Sequence, residues 1–271
     1  MNVRKQITIA IPSLNAAQTL GATLESLRTL GDIARVVLVD SFSTDATLKI
    51  AESYSVDVLQ CPPGNMYAAI NLGLKNAKTP WVTYINADDL IYAATLRKRL
   101  MSLPRDVEIS YGTVDFVDED GRFLRSWRPA SARGALKLYR AGYSPMLQQG
   151  TLIRTELYEA LGGFNEKFKY VADSDLWYRA LESGATVCRD PKISVAAFRL
   201  HKEQITQRLK GDMRSEHEQM LQQHGNVLKT QEVLAEFLHW RVENVGSYLE
   251  RWMRAFRMGL RPFICSSYEL H

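Results

Sequence analysis

The first ninety residues alternate short apolar, β-rich runs with amphipathic helical stretches, and this alternation constrains the fold more than any other feature of the chain. Ile7-Thr8-Ile9-Ala10-Ile11 reads as a buried strand, with Pro12-Ser13-Leu14 as its exit loop. Asn15 with Gln18 makes a capping-box start for a helix to about Leu30, closed by Gly31. Val36–Val39 is a second strand ending at Asp40, Ser41–Thr44 a loop, and Asp45–Ser53 a helix. Val56–Leu59 gives a third strand, Met66–Lys75 a helix, and Trp81–Ile85 a fourth strand that ends at Asn86-Ala87-Asp88-Asp89. Strands separated by helical crossovers pair in parallel, so a mostly parallel α/β sheet flanked by helices is expected.

The middle of the chain is less regular. Ile109–Gly112 and Val114–Val117 read as two strands, followed by a turn at Asp118–Gly121 and a further strand at Arg122–Leu124. The polar, Arg-rich stretch from Arg125 to Pro145 reads as a mobile loop carrying a short helix. Helices over about Thr155–Leu161 and Ser174–Ser183 precede a strand at Ile193–Ala197, and beyond Gln204 the chain is helical and polar. We therefore divide it into a domain of residues 1–204, with halves 1–105 and 106–204, and a helical extension over 205–271.

Open parallel sheets bind ligands beyond the carboxyl ends of their strands. Three polar clusters fall there: Pro12 to Asn15, Asp40 to Thr44, and Asn86 to Asp89. Asp40 could accept hydrogen bonds from a ligand, or it could cap its own loop. Asp88 and Asp89 repel each other unless a cation or hydrogen bonds compensate, and oxygen ligands suit Mg²⁺ or Mn²⁺. One of the pair is expected to cap a helix beginning near Leu90, and Asp89 is the better placed. Asp173 and Asp175 stand two apart at a helix start, so they face different ways and should do different jobs. His201 follows a strand and could contact a metal or a phosphate.

Other chemistry is excluded. No Gly-x-Gly-x-x-Gly follows the first strand and no Gly-x-x-x-x-Gly-Lys occurs, which argues against dinucleotide oxidoreductases and P-loop ATPases. Lys+Arg 34 against Asp+Glu 30 gives only +4 without a dense basic stripe, so no nucleic-acid partner is expected. Cys61, Cys188 and Cys265 lie far apart, fit no metal-ligand spacing and suit a reducing compartment. No apolar run approaches the roughly 20 residues of a membrane span, and the start shows no signal core, so a cytoplasmic location is expected.

Taken together, several segments resemble the family 2 glycosyltransferases of the GT-A fold. They are Ile9–Asn15, Val39–Thr47, Ala69–Leu74, Tyr84–Asp89, Gln148–Thr151, Gly162–Asn165 and Ala172–Trp177, and the match covers about residues 5 to 201. The resemblance implies transfer of a sugar from a nucleoside-diphosphate-sugar donor, with inversion, to a glycan or lipid-linked acceptor in cell-surface polysaccharide or glycolipid assembly. It places Pro12, Asn15, Asp40, Asn71, Asn86 and Asp88 around the nucleotide sugar. Asp88 and His201 become the metal contacts for Mn²⁺ or Mg²⁺, Asp173 the base, and Gln149 and Asp175 the acceptor side. The sequence departs from the family pattern at Asn86, where the metal motif opens with Asp, and at Ala68 and Gln148. Two other readings stay open: a sugar nucleotidyltransferase, and a glycan- or nucleotide-sugar-binding module without transfer activity.

The end of the chain has a separate logic. Val245, Leu249, Trp252, Phe256 and Leu260 form one helical stripe, with Arg251, Arg254, Arg257 and Arg261 on the opposite face. From Trp240 to His271, five Arg stand against three Glu, a local +2. Such a helix suits the anionic inner face of the cytoplasmic membrane. Packing on the catalytic domain, or on a second subunit in a homo-oligomer, is the alternative.

Overall fold

The computed structural model describes residues 5–201, 210–225 and 227–257. Its elements run β1 (Ile7–Ser13), α1 (Leu20–Leu27), β2 (Ala34–Asp40), α2 (Thr47–Ser53), β3 (Asp57–Gln60), α3 (Met66–Leu74), β4 (Trp81–Tyr84), β5 (Leu90–Ile91) and α4 (Ala93–Ser102). They continue with β6 (Ile109–Val117), β7 (Phe123–Trp127), α5 (Ala132–Arg140), β8 (Thr151–Arg154), α6 (Thr155–Ala160), α7 (Ala172–Glu182), β9 (Val187–Arg199), α8 (Lys210–His224) and α9 (Leu234–Arg257).

The described strands form one sheet of order β3-β2-β1-β4-β8-β6-β9-β5, with β7 beside β6. β1 pairs in parallel with β2 and β4, β2 with β3, and β6 with β9. β8, β7 and β5 run antiparallel to their neighbours. Thr8 and Ala10 on one face of β1, and Ile7, Ile9 and Ile11 on the other, are wholly buried, as a central strand covered on both faces requires. Each of the three isoleucines contributes about 1.5–3 kcal/mol through removal of apolar surface from water. α3 lies close against this centre. A Cβ on Gly73 would stand 2.8 Å from Val39 Cγ2 and 3.0 Å from Ala10 Cβ, so any side chain there would lift α3 off the sheet.

Several expectations need correction. The first helix starts at Leu20 rather than beside Asn15. Asn15 adopts φ 51°, which Asn tolerates better than most residues, and its side chain turns to the next loop instead of capping. Gly31 closes the turn after α1 at φ −55°, without a left-handed cap. Asp89 does not cap a helix: the chain after it forms the short strand β5, and α4 begins at Ala93. β6 is one continuous strand rather than two. The segment expected to be a mobile loop is built from the end of β7 and from α5, whose Ala135, Leu138 and Tyr139 are fully buried.

The extension is packed on the sheet-bearing body. Val233 and Trp240 are buried, Trp240 Nε1 and Asn244 Nδ2 donate to the Arg128 carbonyl, and Asn244 Oδ1 accepts from Arg128 N. The opposite side of α9 exposes Leu234, Leu238, Val242, Val245 and Leu249. The side chains of Trp252 and Phe256 and of the arginines Arg251, Arg254 and Arg257, together with Leu260 and Arg261, lie outside the described residues. Among the described residues no helix is long and apolar enough to cross a membrane.

Candidate active site

The carboxyl ends of β1 and β2 are tied into one patch. Asp40 is fully buried, and its carboxylate accepts from Ser13 Oγ (3.0 Å), Ser43 Oγ (2.5 Å) and Ser43 N (2.8 Å). Asp40 therefore caps its own loop. Asn15 Oδ1 accepts from Thr44 N at 2.9 Å while Asn15 N donates to Ser43 Oγ, so the two loops brace each other. Pro12 stands opposite Val39, one residue before the parallel pairing ends at Ser13 and Asp40. Leu14 and Phe42 are left exposed at the rim.

The turn after β4 is the centre of a second group. Asp89 is wholly buried. It accepts from Gln149 Nε2 (2.9 Å), from Asn86 Nδ2 (3.3 Å) and from Arg199 N (3.0 Å). Its carbonyl takes the Thr23 hydroxyl at 2.8 Å. Burial first, and then the neighbouring Asp88, raise its carboxyl well above the ordinary carboxylate range. Asp89 is thus the joint between β4, the 3₁₀ turn Gln148–Gly150 and the end of β9. Sequence reading gave Asp89 the role of a helix cap and not of this joint. The usable signal was the pair itself, since two adjacent acids after a buried strand need two different environments.

Asp88 points elsewhere. Its Oδ2 lies 2.7 Å from His201 Nε2, and both side chains keep partial exposure. A carboxylate and an imidazole in contact are a donor set for a divalent cation that completes its shell with water and phosphate oxygens. Asn86 Oδ1, two residues away, is buried with no hydrogen-bond partner among the described residues. The residues present thus fit a two- or three-ligand site, although among the described residues no cluster of three or more His, Cys, Asp or Glu could hold an ion.

Asp173 lies in the first turn of α7, half-buried. Tyr67 of α3 brings its hydroxyl to 3.2 Å from Asp173 Oδ1, and Ser174 N donates to the same oxygen at 2.8 Å. Loss of hydration pushes the Asp173 pKa up to about 6, against the pull of these hydrogen bonds. Tyr84, at the end of β4, feels the charges of both Asp173 and Asp89, and its ring stands edge-on to Tyr67 at 6.3 Å. The base candidate and the acidic turn therefore share the aromatic floor of Tyr67 and Tyr84. Tyr67 was not singled out from the sequence, where an aromatic in a helix reads as core.

Asn71 and Asp175 are differently placed. Asn71 donates to the Phe164 carbonyl and to Glu166, and accepts from Phe164 N and the Tyr158 hydroxyl. All its amide valences act within the protein, tying α3 to the segment after α6. Gly163 (φ 74°) approaches so closely that a Cβ would stand 2.9 Å from Asn71 Oδ1. Asp175, almost fully buried, faces away from Tyr67 and pairs with Arg179 (2.7 Å) and His224 (2.8 Å).

The family model of glycosyl transferase family 2 matches residues 8–162, more than half of the chain. The chain belongs to glycosyl transferase family 2. Within that family it is 30% identical over 203 residues to a PGL/p-HBAD biosynthesis glycosyltransferase of Mycobacterium bovis, covering 70% of this chain and 75% of that one. An uncharacterized glycosyltransferase of Rickettsia felis is 27% identical over 216 residues, and there this chain spans only 35% of the relative's length.

Among solved structures, residues 1–349 of S. aureus TarS with UDP-GlcNAc superpose with a TM-score of 0.64 at 19% identity, over 87% of this chain and 72% of that one. This chain covers 37% of a longer TarS chain. Glucosyl-3-phosphoglycerate synthase from Mycobacterium tuberculosis, solved with Mn²⁺, UDP and glucosyl-3-phosphoglycerate, gives 0.59 at 15% identity, over 83% and 82%. These glycosyltransferases share the GT-A fold with the family 2 chain described here: a curled, mostly parallel sheet flanked by helices.

Proposed function

We propose that this family 2 glycosyltransferase moves a sugar from a nucleoside-diphosphate-sugar donor to a hydroxyl of a glycan or lipid-linked acceptor, with inversion and with Asp173 as base. The observation that carries the reading is the Asp173 carboxylate, half-buried, bonded to Tyr67 and raised to about 6. A base of that strength is ionised at neutral pH yet accepts a proton better than an ordinary aspartate does. Asp173 takes the acceptor hydroxyl's proton at a carboxylate oxygen as the acceptor oxygen attacks the anomeric carbon. Tyr67 holds the carboxylate in place and keeps its second oxygen turned to the substrate side.

Pro12, Asn15 and the loop braced by Asp40 border the nucleotide, with Asp40 fixing Ser43 and Asn15 fixing Thr44. Asn71 supports this floor from below. Asp88 and His201 would hold a divalent cation with Asn86 beside them, and a bound Mn²⁺ or Mg²⁺ would supply charge neutralisation at the leaving diphosphate. Gln149, locked by Asp89, lines the acceptor side, with Asp175 as a buried support for α7. The glycosyltransferase of Mycobacterium bovis named for PGL/p-HBAD biosynthesis, and neighbours solved with UDP-GlcNAc or with UDP and Mn²⁺, support the donor class and a cation of this kind. The exposed apolar side of α9 supports peripheral attachment to the cytoplasmic membrane.

A thermal-shift screen of UDP-, GDP- and dTDP-sugars with Mn²⁺ or Mg²⁺ identifies the donor, since a ligand bound only by the folded state raises its stability. Asp173→Asn then abolishes transfer while that donor still raises the melting temperature. Transfer at the wild-type rate by Asp173→Asn overturns the assignment.

A further inference from the structure

The amide groups that lead into α7 are satisfied from outside their own segment. Val171, the N-cap of α7, makes no side-chain cap. Instead Glu216 of α8 reaches across: its Oε1 accepts from Lys169 N (2.7 Å), and its Oε2 from Tyr170 N (2.6 Å) and Val171 N (3.1 Å). Glu216, Met220 and His224 recur every fourth residue and so share one face of α8. Met220 is fully buried in the core, and His224 stacks on Tyr178 of α7 at 4.2 Å while bonding Asp175. One helix of the extension thus grips α7 and the approach to it at two points.

The first grip leads to the site. Tyr170, whose N–H is held by Glu216, presents its carbonyl 3.2 Å from the Tyr67 hydroxyl. That hydroxyl stands at the same 3.2 Å from Asp173 Oδ1. Tyr67 has one proton and two acceptors competing for it. Where Glu216 fixes residue 170 decides how that proton is shared. We propose that Glu216 is a positioning residue for the transfer reaction, setting the orientation of the Asp173 carboxylate through Tyr170 and Tyr67. The inference rests on the reading of Asp173 as base.

A carboxylate on helix-entry amides also stabilises any helix, so the test must separate positioning from plain capping. The charged and titratable groups facing Asp173 are Tyr67 from α3, Tyr84 from β4, Tyr139 from α5 and Asp175 on its own helix. With the full chain carrying ¹³Cγ-labelled aspartate, Asp173 is assigned by Asp173→Asn and titrated in wild type, Glu216→Ala, Glu216→Gln and His224→Gln. Releasing Tyr170 hands the Tyr67 proton to Asp173, so the Asp173 midpoint falls by about half a pH unit in both Glu216 variants. In His224→Gln, which loosens the other grip, it stays at the wild-type value. In a Tyr67→Phe background, Glu216→Ala no longer moves it.

A rate arm uses UDP-glucose, UDP-GlcNAc and GDP-mannose with Mn²⁺, whichever turns over. There kcat falls about tenfold in Glu216→Ala with the donor KM unchanged. A wild-type midpoint in both Glu216 variants, with Asp173→Asn inactive, overturns the positioning role and leaves the base assignment standing. Wild-type turnover by Asp173→Asn overturns both.

Discussion

His201 Nε2 lies 2.7 Å from Asp88 Oδ2, although 113 residues separate them in the chain. The contact joins the turn after β4 to the residue just beyond β9, and it gives a small, partly exposed donor set at the end of the sheet. His201→Ala and Asp88→Ala should each weaken cation-dependent nucleotide binding at least tenfold, about 1.4 kcal/mol. The rise in melting temperature caused by UDP, GDP or dTDP with Mn²⁺ measures it. If both variants respond as wild type does, the pair has no part in binding.

With Asp173 as the proposed base, its raised pKa predicts a pH dependence in both rate and stability. Activity should climb with pH through about 6 as the base loses its proton. The folded pKa lies above the ordinary 3.8, so the native state prefers the protonated form. Its contribution to stability is full below pH 3.8 and is lost as pH rises through about 6. Asp173→Asn, neutral at every pH, should therefore be more stable than wild type at pH 7.5 by about 1–2 kcal/mol after allowance for partial exposure. The gain should vanish near pH 4. Urea unfolding at the two pH values checks the sign.

Asp89 should matter for folding more than for binding. Asp89→Ala strands Gln149 Nε2 and the Arg199 amide in a buried place, which costs about 2–4 kcal/mol in urea unfolding. A loss below about half a kcal/mol would mean that those donors find other partners.

The exposed side of α9 can be probed without touching the core. Val245 and Leu249 are 55% and 61% exposed, so Val245→Glu with Leu249→Glu should leave the melting temperature unchanged. The same pair should abolish co-sedimentation with vesicles rich in anionic lipid. Equal sedimentation of variant and wild type would rule out this face as the lipid contact.

The parallel half of the fold was legible because its information is local: Ile7–Ile11, Val36–Val39 and Trp81–Ile85 are continuous apolar runs, and each ended near its expected residue. The failures were tertiary. Asn15 had the sequence of a cap, but the Thr44 amide won its side chain. Gly112 looked like a break inside β6, yet it is there because a Cβ would stand 3.0 Å from the Ile193 carbonyl, where β9 crosses close. Arg125–Pro145 read as loop because its cover, Trp240 and Asn244, comes from over a hundred residues downstream. At the site, the acids were visible as residue types. Which of Asp88 and Asp89 would be buried depended on Gln149 and Arg199, and no local pattern carries that.

β6 bonds to β8 through Ile109–Tyr111 and to β7 through Val114–Val117 on one edge, and to β9 along its whole length on the other. The later part of the sheet, built on β6, is therefore stitched through β8 and β4 to the earlier parallel strands β1, β2 and β3. Among the described strands there is no seam at which the two parts could swing apart as jaws. Substrates must enter and products leave past side chains and loops at the rim, with the sheet as a fixed anvil beneath them, and slow steps in turnover would be expected to track the rim rather than a hinge.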